Sequence, residues 1–290
     1  MEKKQFYIYK KEVEWSVLHE GFSIPVSIQV HFQKQLDSFI KRGESKTVKL
    51  ICENKIYEIK LVNQLFSEKK YPKHKDIIQI RYSPKSDFAK MLREIFYISY
   101  NYLKTKRDEA QKLNVKQQIK VPEEIKEYLV IYSTGLEGNI FMECITNLDT
   151  SEMKDYITKE KIEEEDFELS LNYPIVDRFA KIEEKQKIVK IRKLDRAIGE
   201  NLKLLYEYKC QICGENFGNR YGARIVETHH IEPFVKSLNN NADNIVIICP
   251  NHHRIIHIIN PIFDIEKLIF LYPNGLEENL SINKHLCFEQ

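Results

Sequence analysis

Between residues 210 and 257 the chain places Cys210-Gln211-Ile212-Cys213, then Glu227-Thr228-His229-His230, then Asn244, then Cys249-Pro250-Asn251-His252-His253, and finally His257. Five of the nine histidines and three of the six cysteines fall in this short run. Both residue types are uncommon, and an imidazole buried without a partner is costly. A Cys-x2-Cys pair followed by a Cys-x2-His pair supplies four nitrogen and sulfur donors, the number a structural zinc ion takes. Cys210, Cys213, Cys249 and His252 are therefore the candidate zinc ligands. The first pair alone also reads as a redox motif; the second pair in register selects zinc. His252 and His253 are adjacent imidazoles, and spacing favours His252 while leaving His253 as the alternative. Once four ligands are assigned, His229, His230, His253 and His257 have no role in that site.

Those remaining histidines carry a resemblance. His229-His230, Asn244 and His253-x3-His257 resemble, in order and spacing, the HNH endonucleases of the ββα-metal type. The flanking Cys pairs resemble the zinc-braced subgroup of bacterial and phage nucleases, with His252 standing where a fourth cysteine is usual. The likeness covers roughly residues 205–290 and says nothing of residues 1–175. It implies metal-dependent hydrolysis of phosphodiester bonds in double-stranded DNA, with Mg2+ or Mn2+ as the catalytic ion. It further implies that His229, His253 and His257 hold that ion, that His230 is the general base, and that Asn244 ties the loop between two strands.

The chemistry of these residue types agrees. Hydrolysis needs a water stripped of its proton, and an imidazole with a pKa near 6.5 is suited to that at cellular pH. A divalent ion neutralises charge developing on the phosphate and the leaving oxygen. His253 and His257 are four apart and share a face on a helix. His229 and His230 point to opposite faces of a regular strand, so their convergence requires that the strand end or distort there. Glu227 either orients a ligand imidazole or is a solvated strand residue. Asn244 also has the bland reading of an ordinary turn residue.

The elements that must position these groups read as α+β. Strand-like segments rich in Val, Ile, Tyr and Phe occur at 46–53, 56–62, 77–82, 128–133 and 139–145. Helical periodicity covers about 24–41 and 86–107. These segments suit a mixed sheet or small barrel-like domain over 1–150. An acidic linker follows at 151–176, and 177–290 holds a helix and the nuclease domain with its structural zinc. In that helix Ile188, Ile191, Leu194, Ile198, Leu202 and Leu205 recur at helical spacing, and the apolar face packs on the nuclease domain or on a second subunit of a homodimer.

Hydrophobic residues make up 42% and charged residues 30%, which suits a packed globular core, and no long apolar run offers a membrane span. Scattered Cys52, Cys144 and Cys287 and the absence of a signal core point to the cytoplasm. The net charge of +2 hides polarity. Lys69, Lys70, Lys73, Lys75, Arg81 and Lys85 stand against Asp76 alone, a patch suited to DNA phosphates or a solvated loop. Residues 160–168 are strongly acidic instead, with six carboxylates against Lys161. Tyr7, Tyr9, Trp15 and Phe22 are core residues, or the wall of a pocket for a flipped base.

The sequence thus predicts an endonuclease of a restriction or defence system whose N-terminal domain recognises specific or modified DNA. Two alternatives are a zinc-stabilised DNA-binding protein that does not cut, and an HNH effector whose N-terminal domain senses a signal or partner.

Overall fold

A computed structural model describes residues 6–35, 39–66, 75–115, 118–133, 139–173 and 186–286. The chain divides into two compact units, 1–148 and 149–290. In the first, the elements run β1 (Phe6–Glu12), α1 (Trp15–His19), β2 (Gly21–Ser23), α2 (Val26–Gln35), β3 (Ser45–Cys52), β4 (Lys55–Asn63), β5 (Ile78–Arg81), α3 (Asp87–Ile95), α4 (Tyr97–Lys112), β6 (Tyr128–Ser133) and β7 (Asn139–Ile145).

The strands alternate as a half-buried sheet must. Val48, Leu50 and Cys52 of β3 and Ile59 and Leu61 of β4 are buried, while Lys49 and Lys60 between them are exposed. Glu53 and Asn54 join the two strands with φ of 47° and 61°, the positive angles a two-residue hairpin of matching twist requires. The described strands form one sheet in the order β1-β6-β7-β3-β4-β5-β2, antiparallel throughout except for β3 beside β7. The sheet curls into a half-barrel. Its seven strands include β1 and β2, short or polar segments beyond the five legible in the sequence. The helical stretch at 86–107 divides at Phe96 into α3, capped by Ser86 Oγ accepting from Ala89 N–H (3.2 Å), and α4.

The second unit contains most of α5 (Asn147–Glu160), then α6 (Glu164–Asn172), α7 (Gln186–Leu205), β8 (Glu227–His230), α8 (Phe234–Ser237), β9 (Ile245–Ile248), α9 (Pro250–Ile259), and the small sheet of β10 (Ile262–Asp264), β11 (Ile269–Leu271) and β12 (Glu277–Asn279). The stretch read as an acidic linker thus lies in α5 and α6 as far as Tyr173; residues 174–176 are outside the described residues. Strands β8 and β9 pair antiparallel, His229 opposite Val246 and His230 opposite Ile245.

Helix α7 buries Ile191, Leu194, Ile198 and Leu202, while Leu205 is exposed. It approaches β8 so closely at Gly199 that a Cβ there would lie 2.6 Å from Thr228 Oγ1. Its cations are not all available to phosphates: Arg192 is buried, and Arg196 donates to Ser170 O at 2.9 Å. A separate core of Ile212, Val246, Ile248, Ile256, Phe270 and Tyr272 joins β9, α9 and the small sheet.

Candidate active site

Cys210 and Cys213 lie in a tight turn after α7. Gly214 N–H donates to Cys210 O at 2.8 Å, and Gly214 adopts φ +74°, a conformation that strains any residue with a Cβ. Cys249 immediately precedes α9, with Pro250 at its first position. The donor atoms of Cys210, Cys213, Cys249 and His252 lie within 4.8 Å of one another. His252 Nδ1 is 3.5 Å from Cys210 Sγ and 3.2 Å from Cys249 Sγ. Zinc bonds of ~2.3 Å to sulfur and ~2.0 Å to nitrogen at tetrahedral angles separate donors by about 3.5–3.8 Å, so this set is compatible with zinc. The hydrogen bond between the Cys210 and Cys249 thiols draws Cys249 down against the effect of burial and pushes Cys210 up. Thiolate is the metal-binding form.

Successive residues on a helix are about 100° apart, which separates His252 from His253. His253 turns the other way, and with His257 one turn on it faces β8. His229, His253 and His257 gather around one carboxylate, that of Glu168 in α6. Glu168 Oε2 is 3.1 Å from His229 Nδ1 and 2.7 Å from both His253 Nε2 and His257 Nε2. The four donors form a second group within 4.8 Å. His230 meets the other oxygen: its main-chain N–H donates to Glu168 Oε1 at 2.5 Å, and its Nδ1 lies 3.1 Å from that atom and 2.9 Å from Glu164 Oε1. Both imidazoles reach one carboxylate at the end of β8, whose last residue is His230, each on a different oxygen.

The surrounding polar groups hold this arrangement. Glu227, 5% exposed, contacts His253 Nδ1 at 2.8 Å and accepts from the Tyr173 hydroxyl. Asn244 Oδ1 accepts from Glu232 N–H at 2.7 Å, and its Nδ2 donates to Glu232 O and Asn239 O at 2.9 Å each. These bonds close the loop between β8 and β9.

Residues 210–257 match the family model described as HNH endonuclease. The second unit carries an HNH endonuclease domain. No curated protein and no solved structure matches the chain. An HNH domain indicates nuclease activity on nucleic acid, and HNH nucleases use divalent metals.

The Glu168 carboxylate and the imidazoles around it shift one another's protonation. Burial alone would push the Glu168 carboxyl up, but the His229 charge and hydrogen bonds from His229, His230 and His253 outweigh it and hold it well below the usual range. Burial would lower His230, but the Glu164 and Glu168 carboxylates raise it to about 10. His253 is raised to about 9 against burial by Glu168 and Glu227.

Glu164 and Glu168 were missed in the sequence because they lie in an acidic run outside the HNH motif. Their signal was there: two carboxylates four apart, with Phe167 and Leu171 marking a buried helix. Of the DNA-contact candidates in the first unit, Lys75 and Arg81 fall among the described residues. Lys69, Lys70 and Lys73 lie outside the described residues. Lys75 is exposed, and Arg81, also exposed, lies 3.9 Å from Glu20. Of the four aromatics, Phe22 is core, Tyr9 packs on the core and Tyr7 meets Tyr132 edge-on. Trp15 stacks on His19 at 3.9 Å and lines a cavity of about 600 Å³ with Glu14, Arg107 and Lys126. No helix among the described residues is long and apolar enough to cross a membrane.

Proposed function

We propose that this protein is a metal-dependent DNA endonuclease of a restriction or defence system, with residues 1–148 directing the HNH domain to specific or modified DNA. One observation supports the reading above the others. His229, His253 and His257 meet beside His230 in a donor group separate from Cys210, Cys213, Cys249 and His252. A zinc-stabilised binding module needs only the latter group.

In this reading His230 takes the proton of the attacking water, the work of a general base, once it is released from the Glu164 and Glu168 carboxylates that keep it charged. His229 Nδ1, His253 Nε2 and His257 Nε2 hold Mg2+ or Mn2+, which when bound neutralises charge developing on the phosphate and the leaving 3′ oxygen. Glu227 fixes the His253 ring through Nδ1, as partners of ligand imidazoles do. Asn244 keeps the loop after His230 in one conformation. Cys210, Cys213, Cys249 and His252 hold zinc and brace α9 against the turn after α7.

A second reading, favoured by the burial of His230, makes residues 1–148 a sensor of a signal or partner protein and the HNH domain its effector. The deciding experiment incubates the full chain with methylated and unmethylated plasmid and phage DNA in Mg2+ or Mn2+. Cleavage of any of them supports the nuclease, and intact DNA throughout from folded, zinc-loaded protein counts against it. Reversing the charges of Lys69, Lys70, Lys73 and Lys75 then separates the readings. Targeting through phosphates predicts weaker binding across all sequences, and unchanged binding favours the sensor.

A further inference from the structure

The HNH histidines face a helix that lies outside the matched residues. Glu164, Glu168 and Asn172 recur every fourth position and so share one face of α6. Each is bonded to a successive part of the strand and turn it covers. Asn172 clamps the Thr228 main chain, Oδ1 accepting from its N–H at 2.8 Å and Nδ2 donating to its carbonyl at 3.0 Å. Glu168 takes His229 and His230 as described above. Glu164 reaches His230 Nδ1 and accepts from Val235 N–H at 2.9 Å, at the start of α8. Phe167 stacks on Phe234 with centroids 4.5 Å apart and planes 10° apart, beside the His230 ring.

The consequence is closure. His230 is 1% exposed and Glu168 0%, and His230 Nε2 is buried with no hydrogen-bond partner among the described residues. A phosphodiester being hydrolysed must reach the ligand histidines' ion and the base at the same time. Glu168 already touches both sets of groups, one oxygen on the three ligand nitrogens and the other on His230. It carries one negative charge shared by two oxygens on a single centre, as the phosphodiester does. No duplex can contact His230 while α6 is seated.

We propose that α6 is a built-in substrate mimic: the Glu168 carboxylate fills the subsite of the scissile phosphate, and α6 must leave β8 before nucleic acid is cut. The proposal rests on the nuclease reading only in taking the ligand to be a phosphodiester. It also assigns the His230 main-chain N–H as a donor to a phosphate oxygen once α6 has withdrawn. Because a seated helix lowers the fraction of binding-competent protein, the apparent affinity for nucleic acid is reduced by that fraction.

The test measures binding of a short DNA duplex to the full chain by fluorescence anisotropy, at low salt and without added Mg2+ or Mn2+. Glu168→Gln and, separately, Asn172→Ala are expected to bind at least about tenfold tighter than wild type. Asn172→Ala loosens α6 without touching the histidines and covers the case in which Glu168→Gln fails to fold. Glu165→Gln removes the same charge from an exposed position of the same helix and is expected to leave affinity unchanged. Amides of α6 in wild type should lose hydrogen-exchange protection when duplex is added.

Unchanged affinity in both variants overturns the proposal. So does a calorimetric loss of Mn2+ affinity of about tenfold or more in Glu168→Gln with α6 still protected, which would make Glu168 a ligand of the ion. Tighter binding without cleavage by any variant in Mg2+ or Mn2+ keeps the mimic and sinks the nuclease. Cleavage by wild type with no change in binding among the variants does the reverse.

Discussion

Glu168 Oε1 accepts the main-chain N–H of His230 at 2.5 Å and lies 3.1 Å from Nδ1 of the same residue. One carboxylate therefore grips both the backbone and the ring of the proposed base, while its second oxygen holds the three histidines proposed as ion ligands. The His230 ring and the three histidines proposed as ion ligands thus lie on opposite oxygens of one carboxylate.

The proposed base gives the sharpest functional prediction. His230→Ala is expected to lower cleavage by ~10²–10⁴ while leaving zinc content unchanged, since His230 is outside the Cys210, Cys213, Cys249, His252 group. Single-turnover cleavage and metal analysis on the same preparation check it. Wild-type cleavage by the variant would remove His230 from the chemistry.

Cys213→Ser is expected to act through folding. The binding energy of a structural zinc is part of the folding energy of its module, and one oxygen in place of sulfur weakens the set. Zinc content should fall below one equivalent per chain. The melting temperature should drop by roughly 10 °C or more, at about 2–4 °C per kcal/mol. Metal analysis and calorimetry on protein purified with added zinc measure the two, and an equally stable variant would mean the four donors hold no ion.

Glu227→Gln tests the link between Glu227 and His253 Nδ1. Losing the carboxylate that orients a ligand imidazole and raises its basicity typically costs ~10–100-fold in metal affinity or activity. Mn2+ titration by calorimetry should show weaker binding, with zinc retained. Unaltered Mn2+ affinity would leave Glu227 as a packing residue held by Tyr173.

Gly199→Ala tests how α7 seats β8. Its Cβ would meet buried Thr228 Oγ1 at 2.6 Å, and overpacking of this kind costs about 1–3 kcal/mol. Denaturant unfolding should show the loss in Gly199→Ala and its partial recovery in the double variant with Thr228→Ala, which removes the clashing atoms. Additive losses instead of recovery would place the strain elsewhere.

The two donor sets were legible in the sequence because each depends on local spacing. Cys-x2-Cys and Cys-x2-His fit turns and helix starts, and His253-x3-His257 is one helical turn, so chain geometry alone brings each pair together. Strands β3 and β4 were legible for the same reason, since alternation along them is a property of consecutive residues. What spacing left open was how His229 and His230, on opposite faces of any regular strand, come to one place. Tertiary structure decided it by placing Glu168 of α6 against the end of β8, with one oxygen toward His229 and the other toward His230.

Only the tertiary structure could bring in Glu164 and Glu168. In the sequence they are two of six acids in a run whose composition suits a solvated linker, and charge composition does not encode what a helix face will pack against. Their partners lie some sixty or more positions further along the chain at His229, His230 and Val235. That pairing depends on the seating of α6 along β8 through Asn172 and Phe167. A carboxylate is buried there because five groups of four histidines hydrogen-bond to it at once. No segment of the chain can supply that compensation by itself.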